Sequence, residues 1–168
     1  MKKYDLVYIC SPLSAPTKEG IRQNMERAAH YARLVSGTFG CRAIAPHSFL
    51  PEYLDDHIPE EREAGLAFGL DLLKLSSAII VCGSRISSGM RGEIRMAGEL
   101  HIPAYALLEQ EGDAVLAEIK EMPGAALPDG KGTEKDWRHI CAQGEAFGMT
   151  HGKELYNASD EICQLAVQ

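Results

Sequence analysis

From residue 6 to residue 108, short apolar runs alternate with longer stretches whose apolar residues recur at helical spacing. Leu6-Val7-Tyr8-Ile9-Cys10 is almost continuously apolar and is closed by Ser11-Pro12, the pattern of a strand buried on both faces. Met25, Ala28, Ala29, Ala32 and Val35 then repeat at helical spacing, with Gly37 and Gly40 as stop signals. Arg42 to Ala45 reads as a second short strand, ended by Pro46-His47. Pro59 followed by Glu60, Glu61 and Glu63 puts a proline and acids where a helix N-terminus favours them, and that helix continues through Ala64, Ala67, Phe68, Leu72 and Leu75. Ala78 to Cys82 is a third buried strand, a helix is predicted from about Ser88 to Leu100, and Pro103 to Leu108 is a fourth strand.

Strand and helix in alternation build a parallel sheet through right-handed crossovers, with helices on both faces. The pattern therefore predicts a small α/β fold, doubly wound and flavodoxin-like. Its strand order is 2-1-3-4, with a fifth strand as an option. Gly112 to Glu121 reads as one more helix, and Met122 to Gly132, rich in Pro and Gly, as a loop. Thr133-x-x-Asp136 resembles a capping box opening a helix through Trp137 and Ile140, and Ser159 to Val167 is a last amphipathic piece. The organisation expected is one α/β domain over residues 1–121 and an extension over 122–168 that covers it or a partner subunit. Asp129-Gly130-Lys131-Gly132 looks like a phosphate loop, but no strand precedes it.

Composition narrows the function. At 168 residues the chain is one domain in size, and a formal charge of −7 is the wrong sign for binding a nucleic-acid polymer through its phosphates. Small phosphorylated ligands remain possible, since they need only a few aimed donors. Five cysteines, Cys10, Cys41, Cys82, Cys141 and Cys163, are odd in number and form no C-x-x-C pair, so neither a disulfide framework nor a zinc site is expected. No apolar stretch approaches the ~20 residues of a membrane span. A cytoplasmic protein without membrane attachment is the expectation.

In doubly wound sheets ligands bind outside the carboxyl ends of the strands, at the switch point between strands 1 and 3. That rule directs attention to Cys10-Ser11, to Pro46-His47 and to the segment from Gly83 to Glu93. Taking Ser88 as N-cap makes Gly89 the first helical residue, with Glu93 on the same face one turn on and Gly92 beside it. Each interior glycine costs about 1 kcal/mol against alanine, so two in the opening turn imply a reason, such as close approach of a ligand to bare backbone. Glu93 does not stand where a capping glutamate belongs, three residues after its serine.

The segment Ser87-x-Gly89-x-x-x-Glu93-x-x-x-Ala97 resembles the catalytic motif of the nucleoside 2-deoxyribosyltransferase superfamily, which includes the 2′-deoxynucleoside 5′-phosphate N-hydrolases. Tyr8-Ile9-Cys10-Ser11-Pro12 is similar to the opening strand of that superfamily. Together with Ile44-Ala45-Pro46-His47 and Ser88-Gly89-Met90-x-x-Glu93-Ile94, it most resembles an uncharacterised bacterial and phage branch. The likeness spans roughly residues 4–108. It implies that Glu93 is a nucleophile attacking C1′ of a (deoxy)ribosyl group, through chemistry parallel to that of retaining glycosidases. It also implies that Tyr8 orients Glu93 or touches the sugar, that Ser11, Ser87 and Ser88 bind the 5′ end, and that Arg85 or Arg91 meets a phosphate.

The sequence departs from the superfamily on the helix before strand 3. The position of the usual Asp falls on Gly69, and Asp71 stands two residues away, so Asp71 is the candidate replacement. The acids usual after strand 3 are replaced by Cys82, Arg85 and Ser87. His47, at the end of strand 2, suits a base contact or general acid. Cys10, also at the crevice, joins Gly83 and Gly89 among the residues expected against the ligand, although Cys10 and Cys82 read first as small buried residues. Asp55-Asp56-His57 reads as a solvated acidic loop, and His101, His139 and His151 share no ligand spacing. No metal and no cofactor is expected.

Two functions fit these residues. One is an N-glycosidic hydrolase or glycosyltransferase acting on a nucleoside or its 5′-monophosphate. The other is a non-catalytic module on the same fold that senses a nucleotide or related metabolite. The crevice is expected to be lined by Tyr8, Ser11, Gly83, Ser88, Gly89 and Glu93. Trp137, Phe147 and Tyr156 in the C-terminal third, together with the pocket sharing implied by the resemblance, predict a homodimer or higher symmetric oligomer.

Overall fold

The computed structural model describes residues 5–110, 113–119, 146–150 and 153–157. In chain order the elements are β1 (Leu6–Cys10), α1 (Lys18–Phe39), β2 (Arg42–Ile44), α2 (Pro59–Lys74), β3 (Ala78–Val81), α3 (Ser88–Glu99), β4 (Ala104–Gln110), β5 (Asp113–Glu118), β6 (Ala146–Thr150) and β7 (Lys153–Asn157). Two 3-10 turns, Pro46–Ser48 and Leu50–Glu52, lie between β2 and α2. The strands form one sheet in the order β2-β1-β3-β4-β5-β6-β7. The first four run parallel, so the doubly wound, flavodoxin-like order 2-1-3-4 holds and β5 adds the fifth strand.

Period-two alternation along β1 sends its side chains to opposite faces of the sheet. Val7 and Ile9 join Ala28 and Val35 of α1 in one buried cluster, with Ile80 of β3 beside them. Tyr8 and Cys10 join Leu73 of α2 and Met90 and Ile94 of α3 in the other. The sheet is thus covered on both sides, which is why β1 and β3 read as unbroken apolar runs rather than alternating ones.

The helix ends follow local chemistry. Thr17 caps α1 by accepting the amide of Gly20 at 3.1 Å. The helix runs past Gly37 and stops at Gly40, whose φ of 64° is the left-handed conformation a C-terminal cap requires. The N-cap of α3 is Ser87, not Ser88: the Ser87 hydroxyl accepts the Met90 amide at 3.3 Å, and the Met90 sulfur lies 3.5 Å from the Ser87 amide. Gly89 still lies in the first turn.

The helix expected over Gly112 to Glu121 is instead a strand. β5 pairs antiparallel with β4, from Gln110 opposite Asp113 to Tyr105 opposite Glu118. Its apolar core, Ala114 to Ala117, is four residues long. Ala114 and Leu116 enter the α1-side cluster while Val115 and Ala117 enter the other, so the run is spent on two faces at period two and leaves no helical stripe. β6 and β7 extend the sheet antiparallel, β6 against β5 and β7 against β6, and carry Phe147 and Tyr156. The loop expected over 122–132, the helices expected from Thr133 and Ser159, and Trp137 lie outside the described residues. None of the helices among the described residues is long and apolar enough to cross a membrane.

Candidate functional site

The carboxyl ends of β1 and β3 open into a cavity of about 420 Å³ between α2, α3 and the turns after β2. Along α3 it is lined by Gly89, Gly92, Glu93 and Met96, and along α2 by Gly65, Leu66, Gly69, Leu70 and Leu73. Both sets follow i, i+3, i+4 spacing, so each helix presents one stripe to the cavity. The glycines sit where the two helices face the open space, and the leucines make an apolar wall.

Glu93 is the chemical centre of this cavity. Its Oε1 accepts a hydrogen bond of 2.9 Å from the hydroxyl of Tyr8, which is wholly buried. Its Oε2 is buried and has no hydrogen-bond partner. Burial first, and then the charge of Glu93, pushes the Tyr8 phenol far above its ordinary value, so this hydroxyl acts as a donor. Cys10 lies behind the pair, its thiol directed at the Met90 carbonyl at 4.0 Å. Burial, followed by the charge of Glu93, raises this thiol well above its usual range and keeps it protonated.

His47 closes the opposite side. Its Nδ1 lies 2.6 Å from the Ser11 carbonyl oxygen, which can only accept, so Nδ1 carries the hydrogen. Its Nε2 is 3.9 Å from Glu93 Oε1, and both side chains are about one-fifth exposed. The ring is therefore oriented by the main chain of β1, with its free nitrogen turned to the carboxylate. The proline of Pro46-His47 opens the 3-10 turn that brings the ring there.

The residues named from sequence fall into three groups. Tyr8, His47, Ser87, Ser88, Gly89 and Glu93 line the Glu93 cavity. Ser11, Gly83 and Arg85 do not; they line a second, separate cavity on the α1 side of the sheet. Ser11 follows Val7 and Ile9 at period two, so its side chain goes to the face opposite Tyr8. The expectation of a single crevice holding all of them is corrected accordingly.

The third group lines neither cavity. Cys10 is buried against Glu93, and Arg91 is half-buried on α3. Asp71 is exposed on α2 and paired with Lys74 at 3.2 Å, so the proposed replacement for the absent α2 acid does not reach the site. The rotation of two residues, roughly 200° of helix, is not absorbed by any shift of α2. Gly69 does face the cavity, and the Tyr8 hydroxyl occupies the space beside it.

Sequence reasoning missed the ion pair Arg62–Asp56, 3.4 Å apart, both of whose members line the cavity. Asp56 had read as part of a solvated loop. The row Gly65, Leu66, Gly69, Leu70 and Leu73 was legible as a helical stripe with two glycines, and would have located the cavity wall. Among the described residues no group of His, Cys, Asp and Glu could hold a metal ion.

Residues 5–107 match a family described as a domain of unknown function (DUF7768). The chain belongs to this family. The DUF7768 segment contains β1 to β3, α3 and the first part of β4, and hence every residue of the Glu93 cavity. Among solved structures the chain is similar to a 2-deoxyribosyltransferase from the psychrotolerant bacterium Bacillus psychrosaccharolyticus. The two share 14% identity with a TM-score of 0.48, over 60% of this chain and 70% of that one. No curated protein matches the chain.

Proposed function

We propose that this protein cleaves or exchanges the N-glycosidic bond of a nucleoside or nucleoside 5′-monophosphate, with Glu93 as nucleophile. The observation that carries the reading is the asymmetry of the Glu93 carboxylate. Oε1 takes the Tyr8 hydrogen bond at 2.9 Å and faces His47 Nε2 at 3.9 Å, Oε2 is buried, and the residue lines a cavity large enough for a small ligand. The resemblance of the α3 motif to nucleoside 2-deoxyribosyltransferases supports the same residue.

In this mechanism the Glu93 carboxylate attacks C1′ of the sugar, forming a C–O bond as the C1′–N bond breaks. The bonding electron pair leaves on the base nitrogen, which takes a proton from His47 Nε2 in its protonated form. His47 then accepts a proton from water as that water attacks C1′, and the ester bond to Glu93 breaks to restore the carboxylate. In a transferase the second acceptor is another base. Tyr8 holds Oε1 throughout and fixes the orientation of the carboxylate. Ser87, Ser88 and Gly89, at the start of α3, are suited to the 5′ end, where free helix amides favour an anion.

One observation favours the sensing alternative: none of the acidic residues of α2 lines the cavity and Asp56, which does, is paired with Arg62, so protonation of the base falls on His47. The two readings separate on a panel of nucleosides and 5′-monophosphates incubated with the full chain, with free base followed by chromatography. Turnover that is lost in Glu93→Gln while binding persists supports the enzyme. Binding with no release of base from any member of the panel supports the sensor.

Assembly as a homodimer or higher oligomer belongs to the same proposal. Phe68 of α2 and Leu75, just past its end, are exposed on one side of the helix, an apolar pair suited to a subunit contact. Light scattering at micromolar concentration tests it, and a strictly monomeric mass refutes it.

A further inference from the structure

The second cavity, of about 400 Å³, lies on the α1 face of β1 and β3, away from Glu93. Its polar lining is Ser11 from the end of β1, Asn24, Arg27 and Tyr31 from α1, and Ser84 and Arg85 from the loop after β3. Positions 24, 27 and 31 are one stripe of α1, so the helix turns its polar end to this space. We propose that this cavity binds a phosphate-like oxyanion, independently of the Glu93 site.

Several features of the lining require an acceptor-rich ligand. Two guanidinium groups and no carboxylate line the cavity. Among the described residues no hydrogen bond or ion pair engages the Arg27 guanidinium, and Arg85 makes one long contact, 3.4 Å to the Ser14 carbonyl. Arginine offers five donors in a planar fork matched to oxyanions.

Ser11 is 1% exposed, and its hydroxyl is buried without a partner. An unsatisfied buried hydroxyl costs roughly 1–3 kcal/mol, a cost that a ligand oxygen within reach removes. Tyr31 adds a phenol kept protonated by burial. Glu109, whose charge is felt at Tyr31, is engaged by His30 at 3.2 Å. The amide nitrogen of Asn24 is committed to the Leu13 carbonyl at 2.8 Å, so Asn24 fixes the wall of the cavity.

Gly83 completes the cradle. Its φ of 92° is a conformation L side chains avoid, and a β-carbon there would lie 3.2 Å from the Pro12 ring. A side chain at this position is strained by the backbone and would press on the Pro12 ring.

The test is a titration of the isotope-labelled full chain with inorganic phosphate, followed residue by residue by NMR. Saturable shifts are expected at Ser11, Ser84 and Arg85. Arg27→Gln combined with Arg85→Gln, both at exposed positions, should weaken binding by at least about tenfold. Glu93→Gln should leave the affinity within about twofold, because Glu93 belongs to the other cavity. Substituting glycerol 3-phosphate separates the two sources of such an anion: tighter binding indicates a phosphorylated metabolite, and equal or weaker binding the free ion. Shifts confined to Ser87, Ser88 and Gly89, or no saturable shift, overturn the proposal. Neither result bears on turnover at Glu93.

Discussion

A β-carbon built on Gly69 would lie 3.2 Å from the hydroxyl oxygen of Tyr8. That spacing is tighter than ordinary packing, so the glycine in α2 makes room for the phenol that holds Glu93. Two elements more than fifty residues apart in sequence therefore fix one hydrogen bond. Gly69→Ala should push the phenol aside and lower turnover more than it weakens ligand binding. In a Tyr8→Phe background the same substitution should be tolerated, because alanine improves helix propensity by up to about 1 kcal/mol and nothing remains to displace. Urea unfolding of the two single variants and the double variant measures the coupling; strict additivity refutes it.

Tyr8→Phe by itself leaves a largely buried carboxylate without its donor. Such a loss costs roughly 1–3 kcal/mol of stability, read as a lower urea midpoint at an unchanged slope. Any glycosidic turnover should fall as well, because neither carboxylate oxygen is then oriented. Unchanged stability would show that water replaces the phenol.

His47→Asn separates the two jobs of the imidazole. The asparagine amide can still donate to the Ser11 carbonyl in place of Nδ1, but it has nothing in the position of Nε2. The variant should fold with near-native stability and lose turnover, with the greater effect on kcat. If His47→Gln, which lacks the Nδ1 contact, proves as active as the native protein, the imidazole is not the proton carrier.

Stability should fall on the alkaline side. Cys10, Cys82 and Tyr8 are buried, and each is raised above its ordinary value in the folded state, by burial in the first place. Below the thiol values of the unfolded chain, near 9.0, both states hold these protons and no stability is lost. Above that point the unfolded chain releases protons that the folded protein retains, so unfolding becomes easier as pH rises. The slope approaches about 1.4 kcal/mol per pH unit for each group involved. Thermal melts from pH 7 to 10.5 should show the decline beginning near pH 9, and Cys82→Ala should reduce it. A melting temperature that does not change across that range contradicts the protonated state of these groups.

Ser11→Ala removes a buried hydroxyl that has no partner, and leaves intact the carbonyl that holds His47. The variant should be as stable as the native protein, or more stable by up to about 1 kcal/mol, while weakening phosphate binding in the second cavity. A clear destabilisation would mean that the hydroxyl has a bonding partner in solution.

The parallel half of the fold was legible because β1 and β3 are unbroken apolar runs closed by Ser11-Pro12 and Gly83, and because Gly40, Pro59 and the Ser87-Ser88 pair mark helix ends. Glu93 was legible from the glycines around it and the switch-point rule. What local pattern could not supply was the assignment of polar residues at strand ends to one face or the other. Parity along β1 does contain that information: Tyr8 and Cys10 share the Glu93 face, and Ser11 takes the other. Asp71 failed for a related reason, since proximity in sequence on a helix is not proximity on a face. β5 was misread because four small and branched apolar residues between acids fit a helical turn as well as a strand, and only the pairing with β4 decides.

The reversal of direction at β5 has a practical side. β4 ends, and β5 begins, at the end of the sheet where both cavities open, whereas β5 finishes at Glu118 on the far end. β6 runs antiparallel to β5, so the chain re-enters the sheet at Ala146 on that same far end. Between those points the polypeptide departs from, and returns to, the pole opposite the chemistry. A tag joined to the sheet at Glu118 or at Ala146 therefore starts from the end opposite Glu93, away from the mouth of its cavity.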